Sequence, residues 1–133
     1  LIKAYLGWVV SLYEGESIEV KYTIHEEQEL LLKETILMDY KKPAIVGQVA
    51  LSTLLKKLKK HRNKEIVIFI NDAALYEIVR GTSTTGNKDV LRMAIQMRKE
   101  LAELRDIVIK DTSKDRMELA EWNEQILNGR VRE

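Results

Sequence analysis

Glu65-Ile66-Val67-Ile68-Phe69-Ile70 is a short, continuous apolar run rich in β-branched residues. Such a run reads as a strand buried on both faces, the pattern of a central strand flanked by helices. It ends at Asn71-Asp72, and Ala73–Arg80 then reads as a short helix. Upstream, Gly47, Leu51, Leu54 and Leu58 recur at spacings of four, three and four, and Val46, Val49, Ala50 and Leu55 widen the stripe. Pro43 suits a first helical turn, where its missing N–H costs nothing. An amphipathic helix is therefore predicted over about 43–61, closed by His61-Arg62-Asn63-Lys64.

Working outward, residues 2–13 are rich in aromatic and β-branched side chains, and Glu14-Gly15-Glu16-Ser17 is a turn signal. Ile18, Val20, Tyr22 and Ile24 alternate with Glu19, Lys21 and Thr23, the period of a half-buried strand. A third run, 30–38, pairs back onto it, although Leu30-Leu31-Leu32 alone also fits a short helix. On the other side, Gly81-Thr82-Ser83-Thr84-Thr85-Gly86 is a loop by composition. A long helix starts at Asn87 or Lys88, with Val90, Ala94, Met97, Leu101 and Leu104 on one face. Asp106-Ile107-Val108-Ile109-Lys110 is a last strand, and a last helix covers about 114–127, stopped by Asn128-Gly129 with a loose tail over 129–133.

The order is β-β-β-α-β-α-α-β-α. It predicts one α/β domain over 1–133: a five-stranded mixed sheet, made of an antiparallel three-stranded meander plus two parallel strands, with helices on both faces. The expected core includes Leu51, Leu54, Leu58, Ile66, Ile68, Ile70, Met97, Leu101 and Val108.

The composition narrows the chemistry. The chain has 133 residues, 45% of them hydrophobic and 32% charged, which supports one packed domain. It has no cysteine, so disulfides, thiolate metal sites and cysteine nucleophiles are excluded, and a reducing, cytoplasmic setting is expected. The longest apolar runs are five residues, far short of a membrane span of about 20. The chain opens Leu1-Ile2-Lys3, with neither an initiator methionine nor a signal-peptide pattern, as a trimmed or excised domain would. Net charge is +1, but it is unevenly spread. Residues 14–34 hold seven acids against two lysines, whereas 41–64 hold eight basic side chains and no acid. Such asymmetry marks either an anion-binding face or a solvated lysine-rich helix.

Several local patterns, in shared order, resemble the ribonuclease H fold. Val46-Gly47-Gln48-Val49-Ala50-Leu51 with Leu54-Leu55 is similar to that family's first helix, which carries a catalytic Glu. Ile68-Phe69-Ile70-Asn71-Asp72 is similar to its fourth strand, which ends in a catalytic Asp. Asn87-Lys88-Asp89-Val90-Leu91 resembles the Asn-x-Asp-Leu entry to its long helix, and Ala120-Glu121 stands where its last helix carries Ala-Asp. The resemblance implies three or four clustered carboxylates holding two Mg²⁺ ions about 4 Å apart for phosphodiester hydrolysis. Here that set is incomplete. Residues 2–13 contain no Asp or Glu, and the helix Glu is replaced by neutral Gln48. Asp72 stands, and the last position is Glu121, with Glu118 and Asp115 nearby.

The chain is thus identified as a ribonuclease H-like member with a degraded catalytic centre at Gln48, Asp72 and Glu121. It is expected to need no cofactor, and to bind nucleic acid, as RNA–DNA hybrid or duplex, weakly through Lys56, Lys57, Lys59, Lys60 and Arg62, or to serve as a protein-interaction domain. Two alternatives stay open. One is an active Mg²⁺-dependent nuclease acting on RNA in hybrids, with Asp72 and Glu121 as metal ligands and a first acid supplied upstream of Leu1. The other is an assembly domain whose acidic meander and basic helix meet across subunits of a homo-oligomer. No membrane partner is expected. Asp72 also sits where a helix N-cap is needed. His25 and His61 lack partner spacing, Ser83, Thr84 and Thr85 lack a nearby base, and Gly81 to Lys88 departs from a phosphate loop at Asn87.

Overall fold

The computed structural model describes residues 1–9, 17–39 and 43–127. Five strands, β1 (Ile2–Val9), β2 (Ile18–Glu26), β3 (Glu29–Met38), β4 (Glu65–Ile70) and β5 (Asp106–Asp111), form one sheet in the order β3-β2-β1-β4-β5. The first three pair antiparallel, and β4 pairs parallel to both β1 and β5. Four helices complete the fold: α1 (Pro43–Leu58), α2 (Ala73–Arg80), α3 (Lys88–Ala102) and α4 (Arg116–Ile126). The expected mixed sheet and element order are both present. No helix among the described residues is long and apolar enough to cross a membrane.

The two faces of the sheet are covered differently. Period-2 alternation sends Ile2, Ala4 and Leu6 of β1, and Ile18, Val20, Tyr22 and Ile24 of β2, into the larger core beneath α1. The α1 stripe meets them: Val46, Ala50, Leu51, Leu54, Leu55 and Leu58 are each at most 2% exposed. The opposite face carries a smaller cluster in which Tyr5 and Phe69 stack at 4.8 Å under Trp122 and Ile126 of α4. β4 contributes to both, which explains its unbroken apolar sequence.

Some local expectations are corrected. Val108 is 48% exposed and not core, because β5 is an edge strand that turns only Ile107 and Ile109 toward the larger core. Leu101 is half-buried at the margin. Leu30, Leu31 and Leu32 lie in a strand, since β3 pairs along β2 with one bulge at Ile24/His25. Regular α1 ends at Leu58 and continues as a 3-10 turn, Lys59–His61. The last helix starts at Arg116, because Asp115 caps it through Met117 N–H and Glu118 N–H, both at 3.0 Å. The turn at Glu14-Gly15-Glu16, the basic pair Lys41 and Lys42, the Asn128-Gly129 stop and the tail lie outside the described residues.

Candidate functional site

β1 and β4 run parallel with Tyr5 beside Phe69, so both strands deliver their last residues to one place. A small cleft there is lined by Leu6, Gly7, Trp8, Asn71, Asp72 and Trp122. Asp72 is the single carboxylate in this lining. Its Oδ1 accepts the Leu75 N–H at 2.8 Å, so the side chain caps α2. Replacing it by Ala is expected to cost about 1 kcal/mol, and Asp72→Ser much less. Thermal unfolding of both variants checks this, and equal losses would remove the cap assignment.

Gln48 does not line this cleft. It is 1% exposed, and its Nε2 donates to the Val90 carbonyl at 3.1 Å, between α1 and the start of α3. Its Oε1 is buried without a partner. The residue of α1 that lies against Trp8 of β1 is Gly47, one position earlier. A Cβ at Gly47 would stand 3.0 and 3.2 Å from two carbons of the Trp8 ring. Gly7 has a matching arrangement on the other face: a Cβ there would stand 2.6 Å from Ile126 Cγ2 and 2.9 Å from the Trp122 ring. Trp122 is fixed by its indole N–H, which donates to the Leu6 carbonyl at 2.8 Å. Two indoles are thus seated on two glycines at the end of β1. Sequence reading missed both contacts, and the signal available was the coincidence of Gly7 and Gly47 with only two tryptophans.

Glu121 faces elsewhere. With Lys3, Tyr5, His25 and Gln125 it lines a separate groove on the α4 face, where it accepts from Gln125 Nε2 at 3.1 Å. Burial pushes the Tyr5 hydroxyl up to about 12, helped by the Glu121 and Glu118 carboxylates, so it stays neutral. His25 Nε2 meets Gln125 Oε1 at 3.1 Å. Glu118 pairs with Lys110 at 3.3 Å. Asp72 and Glu121 therefore belong to different clefts, and among the described residues no three Asp, Glu or His come together as metal ligands. A pair of Mg²⁺ ions needs several shared carboxylates. The residues present do not fit that group.

The basic stretch is a real surface. Lys56, Lys57, Lys59, Lys60, Arg62 and Lys64 are all exposed at the C-terminal end of α1 and the turn after it, where the helix dipole favours positive charge. Lys59 pairs with Glu103 at 2.8 Å, and Lys64 pairs with Glu26 of β2. Among the described residues Lys56, Lys57, Lys60 and Arg62 make no ion pair. Burial, with Lys60 and Lys64 adding repulsion, holds His61 below the ordinary imidazole range, so it adds no charge to this patch near neutral pH. The acidic segment offsets the patch at Glu26, while Glu19 pairs with Lys21 and Glu34 accepts from Tyr22.

No family model matches the chain, and no curated protein matches it. Solved structures do. RNase H1 from the halophilic archaeon Halobacterium salinarum NRC-1 is similar with a TM-score of 0.74 at 14% identity, over 85% of this chain and 86% of that one. LC11-RNase H1, solved in complex with an RNA/DNA hybrid, is similar with a TM-score of 0.75 at 13% identity, over 96% and 95%. The N-terminal RNase H domain of Rv2228c from Mycobacterium tuberculosis gives 0.66 at 12%, over 82% and 86%. The chain has a ribonuclease H-like fold.

Proposed function

We propose that this ribonuclease H-like chain is a non-catalytic module that engages nucleic acid through the exposed basic end of α1. The observation that carries the first half is the pair of tryptophans at the end of β1. Trp122 fills the space beside Gly7, and Trp8 fills the space beside Gly47, so neither position has room for a carboxylate. Asp72 alone remains in that cleft, and it caps a helix. Two-metal hydrolysis has no support in this set of side chains.

The second half rests on four exposed cations that make no ion pair among the described residues, carried on a fold whose similar structure LC11-RNase H1 was solved with an RNA/DNA hybrid. The patch has no interleaved aromatic residue, so base stacking plays no part. Binding is weak, independent of sequence and salt-sensitive.

Incubation of the protein with a labelled RNA–DNA hybrid and Mg²⁺ or Mn²⁺ is expected to leave the substrate intact. Robust cleavage that disappears in Asp72→Asn would overturn the non-catalytic reading. Gln48→Glu is expected to create no activity. It replaces the N–H that serves the Val90 carbonyl by a second oxygen, and lowers stability instead.

A further inference from the structure

β3 is the terminal strand of the sheet and, among the described residues, pairs only with β2. Among the described residues its other edge therefore presents main-chain donors and acceptors, regularly spaced over 32–38 beyond the bulge at Leu31. Natural edges of this length are usually blunted by proline or by several charges. This one has no proline; its charges are Glu29, Lys33 and Glu34, and its bulge at Leu31 leaves 32–38 as a regular edge. Large apolar side chains stand exposed along it: Leu30 at 50%, Leu31 at 40% and Leu37 at 70%.

The order of side chains along this edge names its occupant. Leu30-Leu31-Leu32, Lys33-Glu34-Thr35, Ile36-Leu37-Met38 is an apolar triplet, a polar triplet and an apolar triplet, symmetric about Glu34. A strand with this symmetry is complementary to itself when antiparallel. Centred on Glu34, the pairing places Leu32 opposite Ile36 of a second copy and Lys33 opposite Thr35, and brings Leu37 beside the bulged Leu31. A shift of the centre to Lys33 or Thr35 instead sets Leu32 against Glu34, or Lys33 against Leu37. We infer that β3 joins β3 of a second copy about a two-fold axis at Glu34, making one continuous ten-stranded sheet. This is strand addition, in which the main chain supplies affinity and the alternating side chains supply register. It uses none of the basic side chains at the end of α1 and is independent of the nucleic-acid reading.

One contact in this arrangement is unfavourable. Glu34 meets Glu34 of the second copy, and like charges directly opposite weaken a strand pair. The dimer is therefore set to be moderate in strength, and Glu34→Gln should tighten it about two- to fivefold, since the Gln oxygen can still accept from the Tyr22 hydroxyl.

The absence of cysteine allows a direct test of the register. Directly opposed residues have Cα atoms about 4.5–5.5 Å apart, within disulfide reach, whereas offsets by two residues fall outside it. Under mild oxidation Glu34→Cys should cross-link to itself. Lys33→Cys and Thr35→Cys should cross-link to each other when mixed, and neither should do so alone. Sedimentation equilibrium should show a concentration-dependent dimer for the unmodified chain, abolished by Leu31→Lys with Leu37→Lys. The control Leu91→Lys with Ile95→Lys, exposed on α3, should leave association unchanged. A monomer at all concentrations up to near-millimolar would overturn the inference. So would self-cross-linking of Lys33→Cys, or a dimer indifferent to the two leucine changes.

Discussion

Gly7→Asp, which would place a carboxylate on β1, is expected to lower the unfolding free energy by about 3–5 kcal/mol. Two terms add. The first is steric, and Gly7→Ala isolates it: the new Cβ would lie 2.6 Å from Ile126 Cγ2 and 2.9 Å from the Trp122 ring. Both neighbours are under 9% exposed, and the indole is tied to the Leu6 carbonyl, so neither can swing into solvent. Overpacking of this kind costs about 1–3 kcal/mol, offset by about 0.5–1 kcal/mol because alanine is the better strand residue. The second term is the transfer of a carboxylate into the apolar cluster of Tyr5, Phe69, Trp122 and Ile126. Urea titration should show a lowered midpoint with an unchanged slope in both variants. Ile126→Ala removes the closest atom, so Gly7→Ala with Ile126→Ala should be more stable than the sum of the single losses by at least about 0.5 kcal/mol. Strict additivity, or a Gly7→Asp protein as stable as the parent, would show that this corner is looser than its distances imply.

That corner also marks where the sequence was legible and where it was not. β2 could be read because Ile18, Val20, Tyr22 and Ile24 alternate with polar residues, and burial on one face of a sheet enforces a period of two. β4 could be read because both of its faces are covered, which gives an unbroken apolar run, and α1 because its apolar residues recur at helical spacing. Asp72 was legible as a cap, because that role is local: it needs a short acceptor beside the first free N–H groups of α2. Gln48 was less so. A helix turns about 100° per residue, so a pattern with apolar residues on many sides leaves the facing residue uncertain by one position. It is Gly47 that lies against Trp8, and Gln48 is buried with its Nε2 donating to a carbonyl 42 residues away. Trp122 and Leu6, 116 residues apart, meet through an indole N–H, and no periodicity carries that information. Val108 failed for a simpler reason. A short apolar run predicts a strand, but what packs on each face decides burial, and at the sheet edge β5 has Ile107 and Ile109 against the core while the face of Val108 stays exposed.

Reversing Lys57, Lys60 and Arg62 to Glu is expected to reduce affinity for duplex, hybrid and single strands alike by about 10²–10³-fold at 0.1 M salt. Each phosphate contact contributes a slope of about −0.9 to log K against log salt on duplex, so loss of three should flatten the line by nearly three units. The three residues suit the test because they are exposed and make no ion pair among the described residues, so reversal breaks none of the ion pairs described above. Lys59 and Lys64 are unsuitable, since they hold Glu103 and Glu26, and their reversal would disturb α3 and β2 as well. New acids at the C-terminal end of α1 also oppose the helix dipole, at about 0.3–1 kcal/mol each. The neutral triple variant, Lys57→Gln, Lys60→Gln and Arg62→Gln, removes that objection, and should still lose most of the affinity. Fluorescence titration across salt concentrations separates the cases. Parallel salt lines for parent and variants would place any phosphate contact elsewhere on the surface, and no binding by the parent at low salt would remove the nucleic-acid reading. Because Glu26 and Glu103 pair with Lys64 and Lys59, and the other four cations of this patch make no ion pair among the described residues, a flattened line is the outcome expected of a phosphate-binding surface here.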